Sequence, residues 1–299
     1  LDSFGYRVQE NDMSDYPELT HIRSVYIEEA KKILINARMA ENQKAFLYAK
    51  ELGYQFLETS GERALMTPWP RATSFDHVLN NSRASYFAGA LLISPDVLVS
   101  QLTEFFATIK WDGSKLLDIL SGYNSSPEMF MIRLLNVIPK YFGLGGMFFM
   151  RYDHKNAGNE TTLKKQLHLS RKRNLDNISL LREHCRTWAQ QEIFPNQSST
   201  PNAHCHRFTI ENESKSFTVM ALSRPMKRNP DASLAVMIGF EETSAFQRKV
   251  AFANDSSISL TKMREQGSKA QAEQEFNQIQ DAMQRLMNKE KEGAVGQLT

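Results

Sequence analysis

The pattern of apolar residues changes character near Gly143, and that change limits the chain to a fold that joins a helical part to a sheet. Before it the signals are those of helices. Ser94-Pro95 combines a hydroxyl N-cap with proline at the first helical position, ahead of Leu98, Leu102, Phe105 and Phe106 on one face. Ser126-Pro127-Glu128 repeats that arrangement before Phe130, Leu134, Val137 and Ile138. Ile22, Val25, Tyr26, Ile33 and Leu34 also fall at helical spacing, with Glu28, Glu29, Lys31 and Lys32 largely opposite, and predict a first helix. A break near Asn42 leads to the next helix. Gly61, Pro68 and Pro70 predict a loop with a short extended piece between residues 59 and 74.

Beyond Gly143 the apolar run 147–152, bounded by Gly145, Gly146 and Asp153, suits a buried strand. A helix is expected from about 175 to 191, followed by strands over 204–211, 216–223 and 233–240. Turn residues 212–215 make the first two a hairpin. The expected fold class is therefore α+β: an N-terminal mostly helical domain, then a domain with a mostly antiparallel sheet and flanking helices. The divisions drawn are a leading segment over 1–17, the helical domain over 18–143, the α+β domain over 144–255 and a polar helical tail over 256–299.

With 299 residues, 41% of them apolar, the chain can bury a sizeable core. A net charge of +2 is too small to imply a surface that coats nucleic acid. No run approaches the roughly 18 apolar residues that a bilayer span requires. The opening LDSFGYRVQE lacks the basic and apolar regions of a signal peptide, so a cytoplasmic protein with no membrane partner is expected. Cys185 and Cys205 are too few for a disulfide framework and fit a reducing compartment.

The chemistry centres on residues 44–57, KAFLYAKELGYQFL. A zincin helix carries two His four residues apart with a Glu beside the first, so that both imidazoles reach one metal. Here that window reads Lys50, Glu51, Leu52, Gly53, Tyr54: the general-base position keeps its carboxylate, and the ligand positions hold an ammonium and a phenol. The plainer reading is an amphipathic helix with Ala45, Ala49, Leu52, Gly53 and Phe56 on its buried side.

A second stretch, NNSRASYFAGALLISP over 80–95, resembles the ImmA/IrrE metallopeptidase family, in which a helix of type ExxAxxFAxxLLxP delivers the third ligand as a carboxylate. The positions just before Ala84 are Asn80, Asn81, Ser82 and Arg83, none of them acidic. The combined pattern resembles the short-chain fatty acyl regulators, which join an XRE-type helix-turn-helix to an ImmA/IrrE-like region and a sensory domain. The stretches that carry the likeness are SFDHVLNNSRASYFAGALLISP, YNSSPEMFMIRL, FGLGGMFFMR and LHLSRKRNLDNISLLREHCRTW. This resemblance implies a non-enzymatic effector region that binds a short-chain acyl-CoA or related metabolite. It implies contact with DNA only through a helix-turn-helix domain that this chain lacks. Relatives end in a CxxCxxxxC cluster associated with an iron-sulfur centre; Gly267, Ala270 and Glu275 stand in its place, so no such cofactor is expected.

Candidate ligand contacts are Arg71, Arg83, Arg171 and Arg173 for anionic groups, with Trp69 and Tyr86 for stacking. Trp69 between prolines also suits a plug on a loop, and 171–173 a solvated basic turn. No metal site is expected: of His184, Cys185, His204, Cys205 and His206, only His204 and His206 share a strand face, and a buried Cys185 on a helix is the plainer account. There is no GxSxG elbow or phosphate-binding glycine loop. Phe276, Ile279, Met283 and Leu286 form a short seam that suits pairing with a second copy or packing on its own domain. The alternatives to a sensor are a protein-interaction module using this seam and a zinc peptidase with atypical ligands.

Overall fold

The computed structural model of the chain describes residues 1–11, 16–19, 22–57, 63–68, 74–169, 176–197, 199–210, 215–226 and 229–263. It divides into a larger unit, Leu1–Arg207 with Phe217–Leu260, and a smaller one, Phe208–Ser216 with Thr261–Thr299. The fold is α+β, with helices concentrated before Gly143 and a mostly antiparallel sheet after it.

The helix expected over Ile22 to Leu34 is instead a pair of strands, β2 (Ser24–Ile27) and β3 (Lys32–Asn36), in register Val25 with Leu34 and Tyr26 with Ile33. The residues chosen for helical spacing are mostly β-branched or aromatic, which favours a pleated surface. Lys31 adopts a left-handed φ of 45° that turns the chain between them. Burial then alternates, with Ile33 and Ile35 fully enclosed and their neighbours Lys32 and Leu34 less so. The sheet is completed by β1 (Arg7–Asn11), parallel to β3, and β4 (Met66–Thr67), antiparallel to β2. β1 arises within the leading segment, and β4 is the short extended piece of the proline-containing loop.

Among the described residues five helices lie between 41 and 142, and the one over Gly113–Ser121 is not among those expected. α1 (Glu41–Phe56) begins where the break near Asn42 placed it, and α2 (Phe75–Leu92) is capped by Ser74 Oγ, which accepts from His77 N. α3 (Pro95–Phe106) buries Leu98, Leu102, Phe105 and Phe106, and α4 (Gly113–Ser121) is capped by Asp112. In α5 (Pro127–Phe142), Ser126 Oγ accepts from Met129 N, and Gly143, with φ 63°, closes the last turn. Among the described residues no single helix is long and apolar enough to cross a membrane. α2 and α3 meet that composition only as a pair, bent by 73°.

The second sheet contains β5 (Met147–Lys155), β6 (Glu160–Leu169), β7 (Asn202–Ile210), β8 (Lys215–Met226) and β9 (Asn229–Glu241), in the order β7-β8-β9-β5-β6. One face, with Phe149, Met220, Leu222, Val236 and Ile238, shares a core with Leu102, Phe105, Phe130 and Leu134 of α3 and α5. On the other, Tyr152 Oη donates to the Arg182 carbonyl of α6 (Asp176–Trp188) at 2.7 Å. Gly239 is required there, because a Cβ would fall 2.0 Å from Phe148 Cζ. Within the smaller unit, Thr209 Oγ1 and Ser216 Oγ lie 2.9 Å apart. β10 (Leu260–Met263) begins at the last residue of the larger unit.

Candidate functional site

α1 does not bury the stripe that an ordinary amphipathic helix would. Its enclosed residues are Lys44, Leu47, Ala49, Lys50, Glu51, Gly53 and Tyr54, whereas Phe56, expected inside, is 75% exposed. Ala45 and Leu52 are half-buried. Two of the charged groups on this inner face have partners there, Glu10 for Lys44 and Arg63 for Glu51.

The helix packs tightly on α2 at Gly53. A Cβ at that position would meet the Ala84 backbone at 3.1 Å, which explains why a small residue faces a small residue here. That crossing lays Tyr54 beside the turn of α2 before Ala84, and Tyr54 Oη donates to Asn81 Oδ1 at 3.1 Å. Asn81 stands three residues before Ala84, at the position where the ExxA pattern places its carboxylate. Lys50 lies one turn back from Tyr54, with Nζ 5.5 Å from the centroid of the Tyr54 ring. The structure thus brings together the three positions that would hold a metal, now Lys50, Tyr54 and Asn81, with Glu51 beside them.

Glu51 is bound by a partner that sequence reasoning missed. Arg63, itself 5% exposed, pairs its guanidinium with the Glu51 carboxylate. Its plane also sits over two aromatic rings, 3.9 Å from the centroid of Tyr26 and 4.2 Å from that of Tyr54. A buried carboxylate needs such a cation, but nothing in the loop before β4 marked which residue would supply it.

Burial sets the proton affinities. It holds the Lys50 ammonium down to about 8, with Glu51 opposing and Arg63 and Lys165 reinforcing that shift. It pushes the Tyr54 phenol up to about 12, so the oxygen stays protonated at neutral pH. A zinc ion is held by neutral imidazoles, thiolates or carboxylates. An ammonium, a neutral phenol and an amide do not fit it, and the carboxylate that would polarise its water is paired with Arg63. Among the described residues no group of three or more His, Cys, Asp or Glu is placed to hold a metal ion.

A chain of charges leads from this centre to the second sheet. Lys165 of β6 lies 3.5 Å from Glu128 in the first turn of α5. Glu128 also takes Arg151 of β5 at 2.5 Å, and Arg151 reaches Asp153 at 2.9 Å. Burial raises the Glu128 carboxyl, but Arg151 and Lys165 outweigh it and leave it below the ordinary range.

The other candidates are dispersed. Arg83 is exposed and Tyr86 is 51% exposed, where it meets the Arg133 guanidinium at 5.7 Å, so neither joins Lys50. Trp69, Arg71, Arg171 and Arg173 lie outside the described residues, as do Gly267, Ala270, Glu275 and the seam at 276–286. His206 of β7 stacks on two rings of α6, His184 at 5.3 Å and Trp188 at 5.1 Å. His206 Nδ1 is hydrogen-bonded to Ser259 at 2.7 Å, and His204 Nε2 to Ser223 at 3.0 Å. Burial pushes His184 down to about 4 and the enclosed Cys185 thiol up, so both are neutral.

Residues 1–135 match the Peptidase_M78 family, described as the IrrE N-terminal-like domain. The match takes in both α1 and α2 and hence Lys50, Glu51, Tyr54 and Asn81. Among solved structures, a Mycobacterium tuberculosis transcriptional regulator superimposes with a TM-score of 0.55 at 17% sequence identity, covering 88% of this chain and 75% of that one. At that identity the likeness is one of fold. No curated protein matches the chain.

Proposed function

We infer that the chain is the ligand-sensing effector region of a transcriptional regulator, without catalysis of its own, and that its ligand is a short-chain acyl-CoA or related metabolite. The observation that carries this reading is the centre itself. The IrrE-like frame still converges Lys50, Tyr54 and Asn81, while Glu51 is held by Arg63. Metal-assisted hydrolysis needs ligands for the ion and a carboxylate available to its water. A frame kept without either supports binding in place of hydrolysis. The fold shared with a transcriptional regulator is compatible with that role. The acyl-CoA part draws on the resemblance to the short-chain fatty acyl regulators and on the sequence candidates Arg71, Arg171, Arg173 and Trp69.

Such a sensor works by linkage: a ligand that prefers one arrangement of the effector region biases a DNA-binding head joined to it. Calorimetric titration with CoA and short acyl-CoAs, with zinc and iron measured on the same preparation, tests the reading. Saturable binding without stoichiometric metal is the expected result. Absence of binding by every CoA thioester, or one zinc per chain with peptide hydrolysis, refutes it. Unchanged affinity in the Arg171→Ala, Arg173→Ala variant would remove those two contacts.

A further inference from the structure

Lys50 is a cation on the enclosed face of α1 whose Nζ lies 5.5 Å from the centroid of the Tyr54 ring and, among the described residues, is paired with no carboxylate. It is 7% exposed, yet among the described residues its ammonium makes no hydrogen bond and no ion pair. Its charged neighbours are Glu51 on its own helix, Arg63 before β4 and Lys165 on β6. Glu51 is committed to Arg63, and Lys165 leans on a Glu128 that is shared with Arg151. Around the Lys50 ammonium two further cations therefore face one carboxylate that is already engaged. A buried charge in that state is expensive unless an opposite charge reaches it.

The donors present are those an anion would use. Asn81 accepts from Tyr54 through Oδ1, which leaves the two N–H groups of its Nδ2 to point elsewhere, and it is only half-buried. Lys165 has a 42% exposed side chain at the outer side of the centre. We propose that the degenerate centre binds a small oxyanion, a carboxylate or phosphate, through Lys50 Nζ and Asn81 Nδ2 with Lys165 as the outer cation. A frame that converges three ligands on a metal cation here converges N–H donors, so the sign of the guest is inverted. As the point of ligand control, this site rests on the sensor reading above. Its existence does not. An anion that draws Lys165 toward Lys50 takes it from Glu128 and leaves Glu128 to Arg151, which ties the centre to β5.

The test uses the full chain and three probes at constant ionic strength: sodium acetate, inorganic phosphate and sodium chloride. Binding is read by calorimetry and thermal shift in wild type, Lys50→Met and Lys165→Gln. Saturable binding of acetate or phosphate, absent with chloride, is expected. It should weaken at least tenfold in Lys50→Met and a few-fold in Lys165→Gln, with the far-UV spectrum unchanged. Whichever of acetate and phosphate binds identifies the oxyanion. Equal affinity in wild type and Lys50→Met, or saturable binding of neither probe, overturns the proposal. An acyl-CoA arm separates the two readings. Undiminished acyl-CoA binding in Lys50→Met, with no oxyanion site in wild type, keeps the sensor and removes this site.

Discussion

Replacing Lys50 by Met should make the protein more stable at neutral pH. The two side chains have similar length, so the packing around α1 is kept while a buried charge is removed. In the unfolded chain Lys50 holds its proton up to 10.5, and in the fold only up to about 8. That difference corresponds to about 3 kcal/mol at roughly 1.4 kcal/mol per pH unit. Because the folded value is the lower one, the unfolded chain binds more protons between the two, and wild-type stability climbs with pH across that window. The penalty is present in full below about 8 and has vanished above 10.5. Lys50→Met should therefore melt on the order of 5 °C above wild type at pH 7, a difference that shrinks steadily as the pH is raised from 8 to 10. Calorimetric melts of both proteins across that range measure it. A variant no more stable than wild type at pH 7, or an advantage that stays constant with pH, would show that Lys50 is compensated by a group other than Glu51.

Arg63→Met leaves Glu51 buried without its counter-charge and should cost about 3–5 kcal/mol. Adding Glu51→Gln should restore most of that, and denaturant unfolding that finds the single variant unaffected would refute the pairing. Gly239→Ala drives a methyl into the Phe148 ring, for a loss on the order of 2 kcal/mol. Combining it with Phe148→Leu should recover part of the melting temperature, and a neutral single variant would mean the ring lies elsewhere. In a Cys205→Ser background, Cys185 should resist thiol reagents at pH 8 until denaturant is added, because burial encloses the thiol and raises its proton affinity. Prompt labelling of the native protein would contradict that burial.

Much of the scaffold was legible from local chemistry alone. Ser126-Pro127 places α5 because a capping hydroxyl is followed by proline in the first turn, and at Ser94-Pro95 the proline marks the start of α3 although the Ser94 hydroxyl makes no cap bond. The strands expected over 147–152, 216–223 and 233–240 from apolar runs between turn residues lie within the longer β5, β8 and β9. The α+β class follows from the amino acids themselves. Residues 22–34 did not yield to the same reading. Their spacing fits a helix, but an isolated stretch cannot reveal that β1 and β4 offer hydrogen bonds on either side of it.

The centre shows the same division. That the positions hold Lys50, Tyr54 and Asn81, and no His or carboxylate, is plain in the sequence. That they still meet was decided by the Gly53–Ala84 crossing, a contact between segments some thirty residues apart. Glu51 faces the interior because Arg63 pairs with it there, and no local window of sequence identifies that partner. Local preference depends on neighbours along the chain, whereas the pairing of buried charges depends on neighbours in space, which only the folded structure specifies.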